Sequence, residues 1–339
     1  MTALRTALVG YGLGGRVIHR PLLQAVEGVR LTHVVTSDPQ RRQQAAVDAP
    51  EAALVSSADE LWGRADEYDA VVVVTGNEAH VPLATTAMDL GKAVVVDKPL
   101  AVTADDAARL VAHARETGAV LSVFHNRRWD SDTLTARRLL DEGTLGDVHR
   151  LESRFTRFRP TVVDRWRERP GGGGVLLDLG THLVDQAVHL LGPVDTVWAD
   201  VAVRRTGAVV DDDCLLVLTH AARATSMLWC SAAAPWTGPR LVLQGSRAGW
   251  VKQDLDGQEA AQREGVAAPD EPDGALWDEH GARPVPSARG DWGAYYRSFA
   301  AAVRDGGPVP VDPADAVAVL RVLEAAQQSS RTRRVVAVG

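Results

Sequence analysis

The chain has 339 residues, of which 45% are hydrophobic and 24% charged, and its formal net charge is −7 at pH 7. That length is sufficient for two domains, and the composition is that of an ordinary globular protein. The negative charge argues against a general nucleic-acid binder, and no apolar run approaches the about 20 residues of a membrane span. We therefore expect a globular protein with neither a nucleic-acid nor a membrane partner.

Cysteine usage and the N-terminal sequence bear on the compartment. The two cysteines, Cys214 and Cys230, form neither a disulfide framework nor a CxxC metal site. The first residues, MTALRTALVGYG, do not have the layout of a signal peptide. We expect two buried thiols in a reducing compartment, no bound metal, and a cytoplasmic protein.

The first third of the chain alternates apolar strands with helices. Short runs rich in valine and leucine predict the strands, and stretches such as 103–118, with an N-cap threonine and a final glycine, predict the helices between them. Such alternation is typical of an α/β, doubly wound parallel sheet. We assign residues 1–123 to a dinucleotide-binding domain of the Rossmann type, with strands at 5–10, 29–37, 69–76, 92–99 and 119–125.

The pattern changes in residues 124–339, which we assign to a second, α+β domain that binds substrate. After a helix at 130–142, strands dominate, and they predict a large, open, mostly antiparallel sheet. Residues 252–291 are rich in Asp, Glu, Pro and Gly and predict an irregular surface excursion. A helix at 313–329 could pack back toward the first domain. The uncovered sheet face predicts a subunit interface and therefore a homo-oligomer.

A glycine-rich turn follows the first strand. Gly10, Gly12 and Gly15 have the GxGxxG spacing, with Leu13 between them, and the turn leads into a helix. Glycines allow the backbone to approach a pyrophosphate, and the start of the helix supplies N–H groups for it. In this strand–turn–helix context the motif predicts a dinucleotide site.

The end of the second strand distinguishes the two nicotinamide dinucleotides. An acid there binds the ribose 2′-hydroxyl of NAD, whereas a small polar residue with a nearby arginine accepts the 2′-phosphate of NADP. Ser37 occupies that position, Asp38 comes one residue later, and Arg41 and Arg42 follow. The pattern favours NADP, with NAD as the alternative.

The segment 174–191 predicts a buried helix with a polar stripe. Asp178, His182 and Asp185 are spaced by four and three residues, so they share one face of that helix. Such groups are costly to bury unless they are paired or used in chemistry. A structural ion-pair network, a catalytic face and a hydrolytic metal site all remain open from these residues alone, although three ligands on one helix make a poor metal site.

Several motifs together resemble one family. They are GYGxGGRxxH after the first strand, TxNxxH at 75–80, the tripeptide Asp97-Lys98-Pro99, and Gly174-x-x-x-Asp178-x-x-x-His182. The chain resembles the glucose–fructose oxidoreductase, inositol dehydrogenase and rhizopine-catabolism (Gfo/Idh/MocA) family over nearly its whole length. Within it, residues 123–135 and the segment around the glycine loop 171–174 are most similar to the NADP-dependent scyllo-inositol dehydrogenase branch.

The resemblance implies roles for individual residues. Lys98 is the catalytic lysine of a Glu-Lys-Pro tripeptide, in which Asp97 replaces the usual glutamate, and Asp178 and His182 are active-site residues. It also implies two further groups. Residues near the cofactor's pyrophosphate and nicotinamide are Thr75, Asn77 and His80, and substrate contacts are Asn126, Arg127, Arg128, Trp166, Asp178 and His182.

The resemblance implies an NAD(P)-dependent oxidoreductase that acts on a hydroxyl or keto group of a polyol, inositol or cyclic sugar, and it implies a homodimer or homotetramer. His182 would take the hydroxyl proton, because its unperturbed pKa of about 6.5 suits a base near neutral pH. Lys98 would stabilise the charge on the same oxygen, in a cleft between the two domains. The alternatives are an NAD-dependent glycoside hydrolase that uses transient oxidation, and a noncatalytic nucleotide-sensing regulator.

Overall fold

The computed structural model describes residues 3–339, apart from the side chain of Trp166. The chain divides into two compact units, neither of which is continuous in sequence. The first unit comprises the residues up to Asn126 together with Gln258–Ala268 and Asp291–Val317. The second comprises Arg127–Gly257, Pro269–Gly290 and Ala318–Gly339. Three segments predicted to lie in the second domain, 124–126, 258–268 and 291–317, thus belong to the first unit.

The first unit contains a six-stranded parallel sheet in the order β3-β2-β1-β4-β5-β6. This is the strand order of the dinucleotide-binding Rossmann fold, so the predicted fold class of this part is confirmed. The elements are β1 (Leu4–Val9), α1 (Arg20–Ala25), β2 (Val29–Val35), α2 (Pro39–Asp48), β3 (Ala53–Val55), α3 (Ala58–Trp62), β4 (Ala70–Val73), α4 (His80–Asp89), β5 (Ala93–Asp97), α5 (Ala104–Thr117) and β6 (Leu121–Phe124).

Local sequence explains these elements. The valines of β4 and β5 are fully buried, as expected of central parallel strands that are covered on both faces. The side chain of Thr103 accepts a hydrogen bond from the backbone N–H of Asp106 and so caps the start of α5. Gly118, at φ 70°, ends that helix in the left-handed conformation.

The second unit is built on a nine-stranded sheet in the order β14-β13-β12-β11-β7-β10-β9-β8-β15. Only the β7–β10 pair is parallel, which confirms the predicted mostly antiparallel sheet. The remaining elements of the chain are α6 (Ser131–Asp141), β7 (Val148–Thr156), α7 (Thr181–Leu191), β8 (Val194–Ala202), β9 (Asp213–His220), β10 (Thr225–Ser231), β11 (Leu241–Gly245), β12 (Gly249–Lys252), α8 (Gln258–Glu264), β13 (Gly274–Asp278), β14 (Gly281–Val285), α9 (Gly293–Asp305), α10 (Pro313–Thr332) and β15 (Val336–Ala337).

The prediction of an irregular excursion over 252–291 is wrong in part. That stretch contains α8 and the hairpin β13–β14, which extends the sheet beyond β12. The run of acidic, proline and glycine residues in 265–273 concealed the short elements on either side of it. Helix α9, which the sequence analysis did not assign, also belongs to the first unit.

Two short helical turns depart from α-helical geometry. Residues Gly14–His19 and Leu176–Gly180 are π-helical, and each leads directly into an α-helix, α1 and α7 respectively. Such turns are rare and often occur at functional sites. Here they coincide with the glycine motif and with the segment that carries Asp178. None of the helices in residues 3–339 combines the length and apolar character that crossing a membrane requires.

Candidate active site

Glycine is required for a different structural reason at each of the three positions of the first turn, or leaves space there. Gly10 has φ 106°, and a Cβ there would lie 2.2 Å from the carbonyl oxygen of Val74. A Cβ on Gly15 would lie 2.1 Å from the carbonyl oxygen of Gly10, so this glycine allows helix and strand to pack closely. A Cβ on Gly12 would meet nothing nearer than Arg41 Nη1 at 3.9 Å. Gly12 thus leaves open space.

That division of roles fits a dinucleotide. In the fingerprint motif the first glycine makes the tight turn, the second admits the pyrophosphate, and the third packs the helix on the strand. Leu13, beside the open position, is 46% exposed. A π-helical turn, Gly14–His19, follows, and the start of a helix is where backbone N–H groups generally bind phosphate oxygens.

The residues after β2 differ in their exposure and in their hydrogen-bond partners. Ser37 is exposed, whereas Asp38 caps α2, accepting the backbone N–H of Arg41 at 2.9 Å. The Arg41 guanidinium is half-exposed and lies beside Gly12. The two predicted arginines differ, because Arg42 is turned toward β3, where it donates to the carbonyl oxygen of Leu54 at 2.9 Å.

Lys98 follows β5 directly, and hydrogen bonds hold its backbone on both sides. The Asp97 carboxylate accepts the Lys98 N–H at 2.9 Å. On the other side, His80 Nδ1 donates to the carbonyl oxygen of Pro99 at 2.8 Å, and the Lys98–Pro99 peptide bond is cis. His80 is buried, and its second ring nitrogen lies 3.3 Å from the carbonyl oxygen of Thr75.

The electrostatics of this region are set by burial and by neighbouring charges. Burial holds the pKa of His80 below its ordinary value, against the opposing effects of the Pro99 carbonyl and the Asp97 charge. His80 is therefore neutral at neutral pH. Burial alone raises the pKa of Asp97, but the neighbouring His19 imidazole, with Lys98 and His80, outweighs it and lowers the pKa. Asp97 is therefore an anion beside Lys98.

The two remaining residues predicted near the cofactor lie between β4 and α4. Asn77 is buried and begins a 3-10 turn, Asn77–Ala79. The Thr75 hydroxyl donates to the carbonyl oxygen of Gly76 at 3.3 Å. The structure therefore brings the glycine turn, Thr75, Asn77, His80 and Lys98 to the carboxyl ends of β1, β4 and β5, where ligands of open α/β sheets bind.

The polar stripe of residues 174–191 consists largely of ion pairs inside the second unit. Asp178, in the π-helical turn, lies 3.1 Å from Arg167 Nε. Asp185, in α7, makes a buried two-oxygen pair with Arg128, at 2.6 Å in its shortest contact. His182 is buried, and its ring stacks against Phe155 at 6.5 Å between centroids. Asp185 is therefore part of a buried ion pair, as in the structural interpretation of the polar stripe.

Sequence reasoning missed the residue that anchors this helix. Gly174 has φ 101°, and a Cβ there would lie 2.2 Å from Asp211 Oδ1. The other oxygen of Asp211 accepts the backbone N–H of Leu176 at 2.7 Å, and burial raises the pKa of this carboxyl. The sequence signal was the glycine itself, which marks a site that another group approaches closely.

The predicted substrate contacts have varied surroundings. Asn126 is buried in the first unit, and the buried guanidinium of Arg127 pairs with Asp130 at 2.9 Å and lies 4.7 Å from the centre of the Phe155 ring. Trp166 begins a short 3-10 turn, and its side chain is outside the described part of the structure. Among residues 3–339, no three His, Cys, Asp or Glu side chains are grouped to hold a metal.

Family models match both parts of the chain. Residues 4–125 match the oxidoreductase family with an NAD-binding Rossmann fold, and residues 133–251 match the GFO/IDH/MocA C-terminal domain. The chain belongs to this family of NAD(P)-dependent oxidoreductases, and the resemblance drawn from its motifs is confirmed.

Curated relatives span nearly the whole chain. It is 34% identical to the NADP(+)-dependent scyllo-inositol 2-dehydrogenase IolW of Bacillus subtilis (strain 168), covering 98% of this chain and 95% of that protein. It is 38% identical to the uncharacterized oxidoreductase YdgJ of Escherichia coli (strain K12), covering 97% of each.

Solved structures of oxidoreductases have the same fold. That of yvaA from Bacillus subtilis has a TM-score of 0.93 at 32% identity, covering 100% of this chain and 99% of the other. That of YPO2259 from Yersinia pestis has a TM-score of 0.93 at 34% identity, covering 100% of this chain and 98% of the other. The likeness thus extends over both units.

Proposed function

We propose that this protein is an NADP-dependent dehydrogenase that interconverts a hydroxyl and a keto group on an inositol or another cyclic polyol. The observation that carries the proposal is the fixed backbone of Lys98 at the carboxyl end of β5, held by Asp97 and His80. A lysine held in this way can present a charged donor to one defined oxygen. The similarity to a scyllo-inositol dehydrogenase supports the substrate class.

The chemistry is divided between the cofactor and the chain. When bound, the nicotinamide supplies the hydride acceptor or donor. His182 takes the proton of the substrate hydroxyl during oxidation and returns it during reduction. The Lys98 ammonium hydrogen-bonds the same oxygen and stabilises its developing negative charge. Asp178, already paired with Arg167, orients the substrate through a neighbouring hydroxyl.

The cofactor preference rests on the residues after β2. The carboxylate of Asp38 is occupied in capping α2, and Ser37 leaves room for a phosphate. Arg41 is near enough to the glycine turn to pair with that phosphate. Charge-assisted arginine–phosphate bonds are among the stronger hydrogen bonds, so we propose that Arg41 confers the preference for NADP.

A panel assay tests the proposal. Purified protein is mixed with NADP or NAD and with inositols and aldoses, and absorbance is followed at 340 nm. We expect steady NADPH formation with scyllo- or myo-inositol and slower turnover with NAD. Tight binding of NADP with no turnover on any free polyol, together with cleavage of a glycoside, would instead identify the transient-oxidation hydrolase.

We also propose that the protein is a homo-oligomer joined through the nine-stranded sheet. On β9, Cys214, Leu216 and Leu218 are buried, whereas the alternate side chains of Leu215 and Val217 are partly exposed. Helix α7 packs on the strands β7 and β10. An apolar face of this kind is typical of a subunit interface.

A further inference from the structure

Part of the family motif after the first strand is left unexplained by nucleotide binding. His19 ends GYGxGGRxxH, but it is only 1% exposed and lies at the end of the π-helical turn Gly14–His19. Its ring packs on Phe124 at 4.3 Å between centroids. A histidine buried in this way interacts with other side chains of the protein and not with solvent.

Both ring nitrogens of His19 face a titratable side chain. Nδ1 is 2.6 Å from the hydroxyl of Tyr296, which is also buried. Nε2 is 3.7 Å from Asp97 Oδ1, the oxygen that accepts the Lys98 N–H. The three side chains thus form a line from α9 through the π-helical turn to the end of β5.

The proton positions in this line follow from chemistry. A buried phenol has to donate its O–H, and burial raises the pKa of Tyr296 well above its ordinary value, so the phenol keeps its proton. Tyr296 therefore donates to Nδ1 of His19. The imidazole proton is then on Nε2, where it faces the negative carboxylate of Asp97.

We propose that Tyr296 and His19 are positioning residues for Lys98, because they hold the Asp97 carboxylate where it fixes the lysine backbone at the end of β5. The inference rests on the catalytic role of Lys98 in the proposed function. It also assigns a role to α9, which is distant in sequence but belongs to the first unit and carries Tyr296.

The groups that face Asp97 come from several elements. They are His19 from the π-helical turn, His80 from α4 and the adjacent Lys98, while Tyr295 and Tyr296 of α9 lie beyond His19. Removing His19 removes the largest influence that lowers the pKa of Asp97 and leaves burial, which raises it. The Asp97 pKa then rises, and the carboxylate is lost at a higher pH.

Two variants and a matched control test the inference. His19→Leu removes both ring contacts, and Tyr296→Phe removes only the hydroxyl. The control is His33→Leu, which removes another buried histidine of the first unit, with Nε2 3.1 Å from the Glu67 carboxylate and Nδ1 3.0 Å from the Thr32 hydroxyl. A merely structural role for buried histidines predicts similar effects of the two histidine substitutions.

Lys98 provides a readout that is independent of turnover. The chain has three lysines, Lys92, Lys98 and Lys252. Reductive methylation with ¹³C-formaldehyde labels accessible lysine side chains and the terminal amine, and Lys98→Arg identifies the Lys98 signal. We expect the Lys98 signal to report the Asp97 titration, which moves to higher pH in His19→Leu and Tyr296→Phe but not in His33→Leu.

Turnover of the unmethylated protein is measured alongside. We expect kcat to fall about tenfold or more in His19→Leu, because a small displacement of the group that positions Lys98 slows the reaction. The acid limb of its pH profile should move to higher pH, and the Kd for NADPH should stay near that of the parent. An unmoved Lys98 titration and an unmoved acid limb in both variants would overturn the inference. Absent turnover in the parent, with the NMR shifts as expected, would reject the proposed function alone.

Discussion

At the scale of single residues, the chemistry depends on how a few side chains are held. The backbone is held at Lys98 by the Asp97 carboxylate and at the following Pro99 by His80. Arg41 and Arg42 are adjacent in sequence but have different partners. Residue type alone therefore does not determine role, and substitutions have to be compared in pairs.

Lys98→Met tests the catalytic lysine. Methionine keeps the length and apolar stem of lysine but removes the charged donor, so we expect kcat to fall by roughly 10²–10³, the loss produced by removing one donor to a developing oxyanion. Binding of NADPH, followed by fluorescence titration, should change little because the glycine turn is untouched. Full turnover in this variant would reject the assignment.

The paired substitutions Arg41→Ala and Arg42→Ala test the phosphate contact. Arg41 lies beside the glycine turn, whereas Arg42 bonds to the carbonyl oxygen of Leu54. We expect Arg41→Ala to raise the Kd for NADPH by about tenfold and to leave that for NADH nearly unchanged. Arg42→Ala should have a small and equal effect on both. Equal losses for both nucleotides in Arg41→Ala would show that this arginine does not select the phosphate.

At the scale of elements, the first sheet was predictable because each of its signals is local. The valine runs of β4 and β5 and the capped helix α5 are legible without knowledge of the rest of the chain. The start of the π-helical turn Leu176–Gly180 was not, since it contacts a side chain distant in sequence, Asp211, which accepts the Leu176 N–H and lies where a Gly174 Cβ would be. Sequence spacing had put Asp178, His182 and Asp185 on one α-helical face.

Gly174→Ala tests this anchor of the π-helical turn. Both the positive φ and the approach of Asp211 oppose a Cβ, so we expect a loss of about 2–3 kcal/mol in the free energy of unfolding, measured by urea denaturation. The control is Gly118→Ala, where the backbone is in the left-handed helical region at φ 70° and no atom lies within 4 Å of the new Cβ, and about 1 kcal/mol is expected. Equal costs at the two positions would show that Asp211 does not restrict the turn.

At the scale of the whole chain, the two units combine segments that sequence order separates. Helix α9 lies near the end of the chain but supplies Tyr295 and Tyr296 to the first unit, where they pack against Phe124 of β6. A single domain boundary after residue 123 could not predict that α9 belongs to the first unit, because periodicity identifies helices and strands but not the elements they pack against. The family motifs, by contrast, located Lys98 and the glycine turn directly, since those positions are set by local chain geometry.

The partly exposed face of the second sheet leads to a prediction about assembly. Val217 lies in the middle of β9, opposite Trp198 on one side and Met227 on the other, and it alternates with fully buried neighbours. We expect Val217→Lys to convert an oligomer to monomers in light scattering coupled to gel filtration, because a lysine there would be an unpaired charge in an apolar interface.

The matched control is Val47→Lys on α2, where the side chain is 80% exposed and the charge remains in solvent. Val217→Lys leaves the buried face of the sheet intact, so the variant should still fold. A cooperative thermal unfolding transition in a monomeric variant would show that assembly was lost and folding was not. A parent protein that is already monomeric at micromolar concentration, or a Val217→Lys variant that keeps the parent's mass, would show that this face is not the interface.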